Sequence, residues 1–277
     1  IKTFRPNIAI ILNITPDHLD RHKTFEAYSN LKGAISSFQT KEDILILNQD
    51  DKNALKQGEH SVAKKYFFSL VEKVSNGVSL ENNSIVTCFN KIKKSIFPLK
   101  DLKPSVQFQI ENFLSAITAT TLLDATEDAI GNAINNFKGL DHRVEWVRTV
   151  NGIDFINDSE GTNVGALEKA LKNFSRPIIL IAGGKDKGGD FHGLKELFKK
   201  KVRHLVLVGE TKSKFRQFLN GSFSCEDAKN MKEAVARAIK KAHTGDIVLL
   251  SPGCSSFDMF EDYVERGNQF KRIVASL

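Results

Sequence analysis

Apolar residues in this chain fall in short unbroken runs, and the runs alternate with amphipathic stretches of helical period. Residues 7–14 form the first run, bounded by Pro6 and by Thr15-Pro16-Asp17. Such a run, with no polar alternation, predicts a strand buried on both faces of a parallel sheet. A helix is predicted from Thr24, a natural N-cap, to Phe38. Residues 44–48 predict a short strand and 48–51 a polar loop, with a weak helix and a strand near 66–69 to follow. Residues 77–99 differ. Short β-runs at 78–80, 85–89 and 95–99 are separated by Asn82-Asn83 and by a lysine cluster, which predicts an antiparallel meander, either an insert or a sheet edge. Ile110, Phe113, Leu114, Ile117, Thr121 and Leu122 then recur at helical spacing, and a second helix runs to about Phe137.

At Lys138-Gly139-Leu140-Asp141 the pattern restarts. Residues 144–150 and 153–157 predict a hairpin turned by Asn151-Gly152, a strong type I′ signal. Strands at 177–182, 202–208 and 247–251 then alternate with helices at 164–173, 191–199, 212–219, 231–242 and 259–275, the rhythm of a doubly wound α/β fold. Two domains are expected, 1–138 and 139–277, with no internal repeat or low-complexity tract.

With 277 residues, 41% hydrophobic and 26% charged, each domain can bury a core. No apolar run approaches a membrane span and no leader-like segment opens the chain, so a soluble cytoplasmic protein is expected. Cys88, Cys225 and Cys254 are far apart, without CxxC or Cys/His metal spacing, and read as reduced thiols. The net charge of +7 comes from scattered lysine pairs and triplets near predicted helix ends, which read as solvated surface; a basic surface also suits a phosphate-bearing small substrate. The chain begins Ile-Lys-Thr-Phe and enters a strand at once, so the later part of a longer protein is expected.

The residues able to do chemistry sit in turns that follow strands. Residues 155–163 pass from strand through Asn157-Asp158-Ser159-Glu160-Gly161-Thr162-Asn163 into a helix, a junction that favours anions through free N–H groups and the helix dipole. The glycine-rich turn from Gly183 to Asp190 carries Lys185 and Lys187 and lacks the GxxxxGK[ST] order of a Walker A loop. Residues 251–256 offer hydroxyls, and Cys254 among them reads as a packed thiol rather than a nucleophile. These three turns, with Arg143 and Asp158 beside them, are expected to converge on an anionic small molecule. Asp17-His18 follows the first strand, where His18 could hold a metal or a phosphate or simply form a surface turn. Lys32, taken alone, reads as an exposed lysine.

Taken in order, the residues from Asn13-Ile14-Thr15-Pro16-Asp17-His18 to Arg21, His142-Arg143, Ile156-Asn157-Asp158-Ser159 with Thr162-Asn163, Gly183-Gly184 with Lys187, and Leu250-Ser251-Pro252 through Arg266-Gly267-Asn268-Gln269-Phe270 resemble the Mur ligases over nearly the whole chain. The Asn-Asp-Ser-x-x-Thr-Asn form resembles the branch that adds D-glutamate. The resemblance implies the latter part of a P-loop-type ATPase (Mur ligase central) domain over 1–138, then a Rossmann-like doubly wound carboxyl-terminal domain that binds the amino acid. It implies an ATP-dependent, amide-forming enzyme of peptidoglycan synthesis, a monomer of the bacterial cytoplasm with neither nucleic acid nor membrane among its partners. ATP would phosphorylate the carboxylate of UDP-N-acetylmuramoyl-L-alanine, and the amine of D-glutamate would attack the acyl phosphate.

Residue by residue, the resemblance implies His18 and Lys32 as catalytic residues and Mg²⁺ ligands, Lys32 after carbamylation has turned a cation into an oxygen ligand. Asn112 would contact adenine, with Gln109 in place of the family's usual Asn. Arg143 and Asp158 would hold the nucleotide phosphates and ribose, with ATP between the two domains. Thr162, Lys187, Ser256, the Phe257 backbone and Tyr263 would form the D-glutamate pocket. Glu160 stands where relatives commonly have Lys, a contact that Lys185 could supply instead. The P-loop, the preceding magnesium-binding Glu and the domain that grips UDP have no counterpart, so a fragment inactive by itself is expected. The alternatives are another Mur ligase adding a different amino acid, and a non-catalytic anion- or nucleotide-binding module on the same scaffold. A nucleic-acid binder has only the positive charge behind it.

Overall fold

The computed structural model describes residues 3–16, 19–220 and 223–277, and the chain divides into two compact units, Ile1–Lys138 and Gly139–Leu277. The first unit holds one sheet in the order β1-β2-β3-β4-β5-β6. Strands β1 (Ile8–Ile11), β2 (Ile44–Asn48), β3 (Lys64–Ser69) and β4 (Gly77–Glu81) run parallel. β5 (Ser84–Phe89) and β6 (Ile92–Pro98) add antiparallel, so the meander is the edge of this sheet rather than an insert. Its turns are built on Asn82-Asn83 and Asn90-Lys91, all four at positive φ, the backbone that matches the twist of paired strands.

β1 is shorter than the apolar run around it. Its ladder ends at Ile11↔Leu47, and beyond that point the Asn48 carboxamide, not a strand neighbour, donates to the Leu12 carbonyl at 2.9 Å. The helices are α1 (Leu19–His22), α2 (Phe25–Gly33), α3 (Lys52–Gly58), α4 (Pro104–Gln107), α5 (Ile110–Thr121) and α6 (Glu127–Asn136). Thr24 caps α2, its hydroxyl accepting from Ala27 N at 3.1 Å. The helix ends at Gly33, short of Phe38, and tightens into a 3-10 turn, Ala34–Ser36, where the Ser36 hydroxyl bonds back to the Gly33 carbonyl.

The period of two along β2 divides the packing. Leu45 and Leu47 join Ala9, Ile11, Ala54 and Ala63 in one cluster, with Phe25 and Tyr28 of α2 against it. Ile46 joins Phe68, Val78, Leu114 and Ile117 in another, with Ile130 and Ile134 of α6. Each fully buried side chain of this size contributes about 1.5–3 kcal/mol.

The second unit holds β7 (Glu145–Val150), β8 (Ile153–Asn157), β9 (Ile178–Gly183), β10 (Val202–Val208), β11 (Cys225–Asp227) and β12 (Ile247–Leu250), in the order β11-β10-β9-β12-β8-β7. All pairs are parallel except the β7–β8 hairpin, whose Asn151 and Gly152 sit at φ 51° and 75° as a type I′ turn requires. The helices are α7 (Val164–Lys172), α8 (Lys195–Lys201), α9 (Lys212–Leu219), α10 (Met231–Lys241) and α11 (Tyr263–Ala275). Ile179, Ile181, Val206, Val248 and Leu250 pack with Val235 and Ala238 of α10 and Phe270 of α11. The alternate positions Leu180, Leu205, Leu207 and Leu249 are buried on the other face, and α8 and α9 pack on β10. Three bounds differ from the sequence pattern. β11 was not anticipated, being three residues long. The helix expected at 191–199 is a 3-10 turn, His192–Leu194, followed by α8. α11 starts at Tyr263 rather than at 259, because Asp262 caps it, accepting from Glu265 N at 2.7 Å. No helix among the described residues is long and apolar enough to cross a membrane.

Candidate functional site

In the second unit β8, β12 and β9 lie side by side and parallel, so the segments after them meet at one end of the sheet. Backbone bonds tie the three together. Gly183 N donates to Pro252 O at 2.9 Å and Gly253 N to Gly161 O at 2.8 Å, while Lys185 and Ser255 exchange a pair of bonds. Gly184 has φ 145°, and a Cβ there would lie 2.1 Å from Ser255 O, so this junction needs glycine for both backbone and space.

Asp158 turns inward at this rim. It is 5% exposed; one carboxyl oxygen accepts from the Ser251 hydroxyl at 2.7 Å and the other from Val144 N at 3.2 Å. Burial pushes its carboxyl up to about 7, against the lowering effect of those two bonds. The Val144 bond fixes a strained segment, since His142 and Val144 both have left-handed φ, 63° and 47°. Arg143 lies between them. Its Nε donates to one Glu160 oxygen at 2.6 Å and its Nη2 to the other, and Glu160 N donates to His142 O at 3.0 Å. Glu160 is therefore the partner of Arg143, a relation seventeen residues apart that no local pattern reveals.

Arg266, quoted above for its motif but given no role, is 0% exposed. Its Nε and Nη2 donate to the hydroxyl and carbonyl of Ser159, and Nη1 to the Cys254 carbonyl at 3.2 Å. The Ser159 hydroxyl in turn donates to Tyr263 O at 2.8 Å. Arg266 thus joins the segments after β8 and β12 to the start of α11. Burial lowers its guanidinium to about 10, which leaves it charged at neutral pH. A buried arginine cannot be told from a surface one by residue type; the signal is its place on the helical face that Phe270 and Val274 share, at spacings of four.

Of the expected D-glutamate residues, Thr162 and Lys187 are half-buried, Ser256 is buried and its carbonyl accepts from Phe260 N, and Phe257 and Tyr263 are exposed. A Cβ on Gly189 would touch Val164, so the turn after β9 folds against the start of α7, next to Thr162. Lys185 is exposed, and the neighbouring Asp186 is engaged by Lys214 at 2.8 Å. Cys254 is 3% exposed with its thiol pushed up to about 11 by burial, a packed thiol and no nucleophile at neutral pH.

In the first unit, Asn112 lies in the first turn of α5, and the buried Gln109 precedes that helix. Glu111 accepts at 2.7 Å from the Asn48 carboxamide, which ties the end of β2 to α5. Lys32 is exposed on α2, its ammonium 5.3 Å from the Tyr28 ring centroid. His18 lies outside the described residues. Among the described residues no group of three or more His, Cys, Asp or Glu comes together to hold a metal ion, and Lys32 as a plain ammonium is no ligand. The described residues therefore do not by themselves form a magnesium site.

Comparison with known proteins agrees across both units. Residues 1–120 match the Mur ligase middle domain and residues 142–254 the Mur ligase, glutamate ligase domain. The chain is 42% identical, over its whole length, to a UDP-N-acetylmuramoylalanine–D-glutamate ligase of Caldanaerobacter subterraneus subsp. tengcongensis, and covers 62% of that protein. It is 38% identical over 99% of its length to the ligase of the same name from Syntrophus aciditrophicus, covering 60%. The chain thus spans about three fifths of the length of these curated relatives. Among solved structures, a pseudomurein peptide ligase type C from Methanothermus fervidus shares the fold at TM-score 0.73 and 16% identity, over 98% of this chain and 63% of that one. The MurF ligase from Thermotoga maritima in complex with ADP does so at TM-score 0.68 and 16% identity, over 98% and 63%. The chain belongs to the Mur ligase family, with segments that match the family's middle domain and its glutamate ligase domain.

Proposed function

We propose that this chain is part of an ATP-dependent ligase that joins D-glutamate to UDP-N-acetylmuramoyl-L-alanine. The observation that supports this most is the 38–42% identity to ligases of that name along the whole chain. The rim of three bonded segments, with cationic and hydroxyl side chains, suits an anionic amino acid. Residues 1–138 include the adenine contact of this reading and residues 139–277 its amino-acid pocket. ADP in a solved structure of the same fold supports the nucleotide.

A carboxylate is a poor electrophile. Its oxygen attacks the γ-phosphorus of ATP, ADP leaves, and the acyl phosphate gains a leaving group. The amine of D-glutamate then attacks the carbonyl carbon, the tetrahedral intermediate expels phosphate, and the nitrogen loses its proton. In this reading Lys187, with Thr162, Ser256, the Phe257 backbone and Tyr263, holds the two carboxylates of D-glutamate and leaves its amine free. Asn112 contacts adenine, and Arg143 and Asp158 serve the phosphate and ribose side of the nucleotide. Mg²⁺, held by His18 and a carbamylated Lys32, would offset phosphate charge.

The test is made on the full-length protein that carries this chain. Lys187→Ala is expected to raise the KM for D-glutamate about 10- to 100-fold, the worth of a hydrogen bond to a charged group, with little change in the KM for ATP. Equal effects on both substrates, or ligation of another amino acid in preference to D-glutamate, would overturn the assignment.

A further inference from the structure

Arg143 is the cation at the rim with a carboxylate already in its fork. Glu160 takes the Nε–Nη2 edge of the guanidinium, the same bidentate geometry by which an arginine grips a phosphate. Both side chains are about one third exposed, 38% and 33%, so an anion from solvent can reach the pair. Neither backbone depends on it. Glu160 N stays bonded to His142 O, Val144 N to Asp158, and Thr162 N to Glu160 O at 2.7 Å, so the side chains can part while the segments stay in register.

We propose that Glu160 is an internal competitor for Arg143, a carboxylate latch that the nucleotide phosphate must displace and that sets how tightly nucleotide is held. This rests on the reading of Arg143 as a phosphate-binding residue. The latch has a definite strength. A partly exposed ion pair contributes up to about 1 kcal/mol, so its competition weakens an incoming anion by up to about fivefold. Glu160 also adds to the forces that hold Asp158 protonated, whereas Arg143 opposes them. Drawing Arg143 away removes the cation that offsets the charge of Glu160 near Asp158, which favours the latched state when no anion is bound.

Calorimetric titration of the full-length protein with ADP tests this. Glu160→Gln, close to isosteric, and Glu160→Ala are both expected to bind ADP about fivefold tighter than the parent. On an Arg143→Gln background the gain from Glu160→Gln is expected to vanish. If Arg143→Gln weakens ADP but neither Glu160 variant tightens it, the latch is wrong while the nucleotide reading stands. If Arg143→Gln leaves ADP affinity unchanged, the phosphate reading of Arg143 fails and the latch with it. Thermal melting of each variant separates a lost site from a lost fold.

Discussion

Asp158 shows how a single residue at this rim couples burial to pH. Its carboxyl, ordinarily near 3.8, stands at about 7 in the folded protein because burial penalises the charged form more than Ser251 and Val144 favour it. The folded state therefore binds the proton more tightly than the unfolded state. The associated stability is present in full below about pH 4 and is lost as pH rises through about 7. Asp158→Asn keeps both bonds, since the Ser251 hydroxyl can accept as well as donate. The variant is expected to lose less stability than the parent between about pH 4 and about pH 8 in urea melts. A parallel decline in both proteins would rule Asp158 out as the source. At this scale the chain was partly legible. Thr162 and Lys187 have the residue types that the proposed anion site calls for, but nothing local announces that Arg143 meets Glu160 or that Arg266 is buried against Ser159. Pairings across long separations are products of the sheet order, which residue types do not encode.

Elements were legible where local chemistry decides them. The Asn151-Gly152 hairpin, the Thr24 cap and the buried strand over residues 202–208 follow from backbone preference and period alone. The end of β1 and the start of α11 do not, because a distant carboxamide, Asn48, and a cap three residues further on, Asp262, set them. The junction of the turns after β9 and β12 belongs to this scale as well. Gly184→Ala would place a methyl 2.1 Å from Ser255 O at φ 145°, so those two segments must separate. The expected outcome is a loss of about 2 kcal/mol or more in stability, together with weakened D-glutamate binding. Unchanged melting would show that the turns yield more readily than their bonds suggest.

Each unit has its own core, and the second builds its core from parallel strands and helices within residues 139–277. Residues 139–277 expressed alone are expected to fold, with dispersed amide resonances and a cooperative melt. A collapsed spectrum would show that the core needs the rest of the chain. The place of β12 within that unit has a consequence in time. It is the last strand of this sheet to be synthesised, yet it fills the slot between β8 and β9. Without Ile247–Leu250, β8 and β9 each lack the neighbour on that side, so each leaves a row of N–H and C=O groups unpaired. A nascent chain paused before that point has two adhesive edges and no rim, so this half of the protein depends on late completion both to form the rim and to stay out of aggregates.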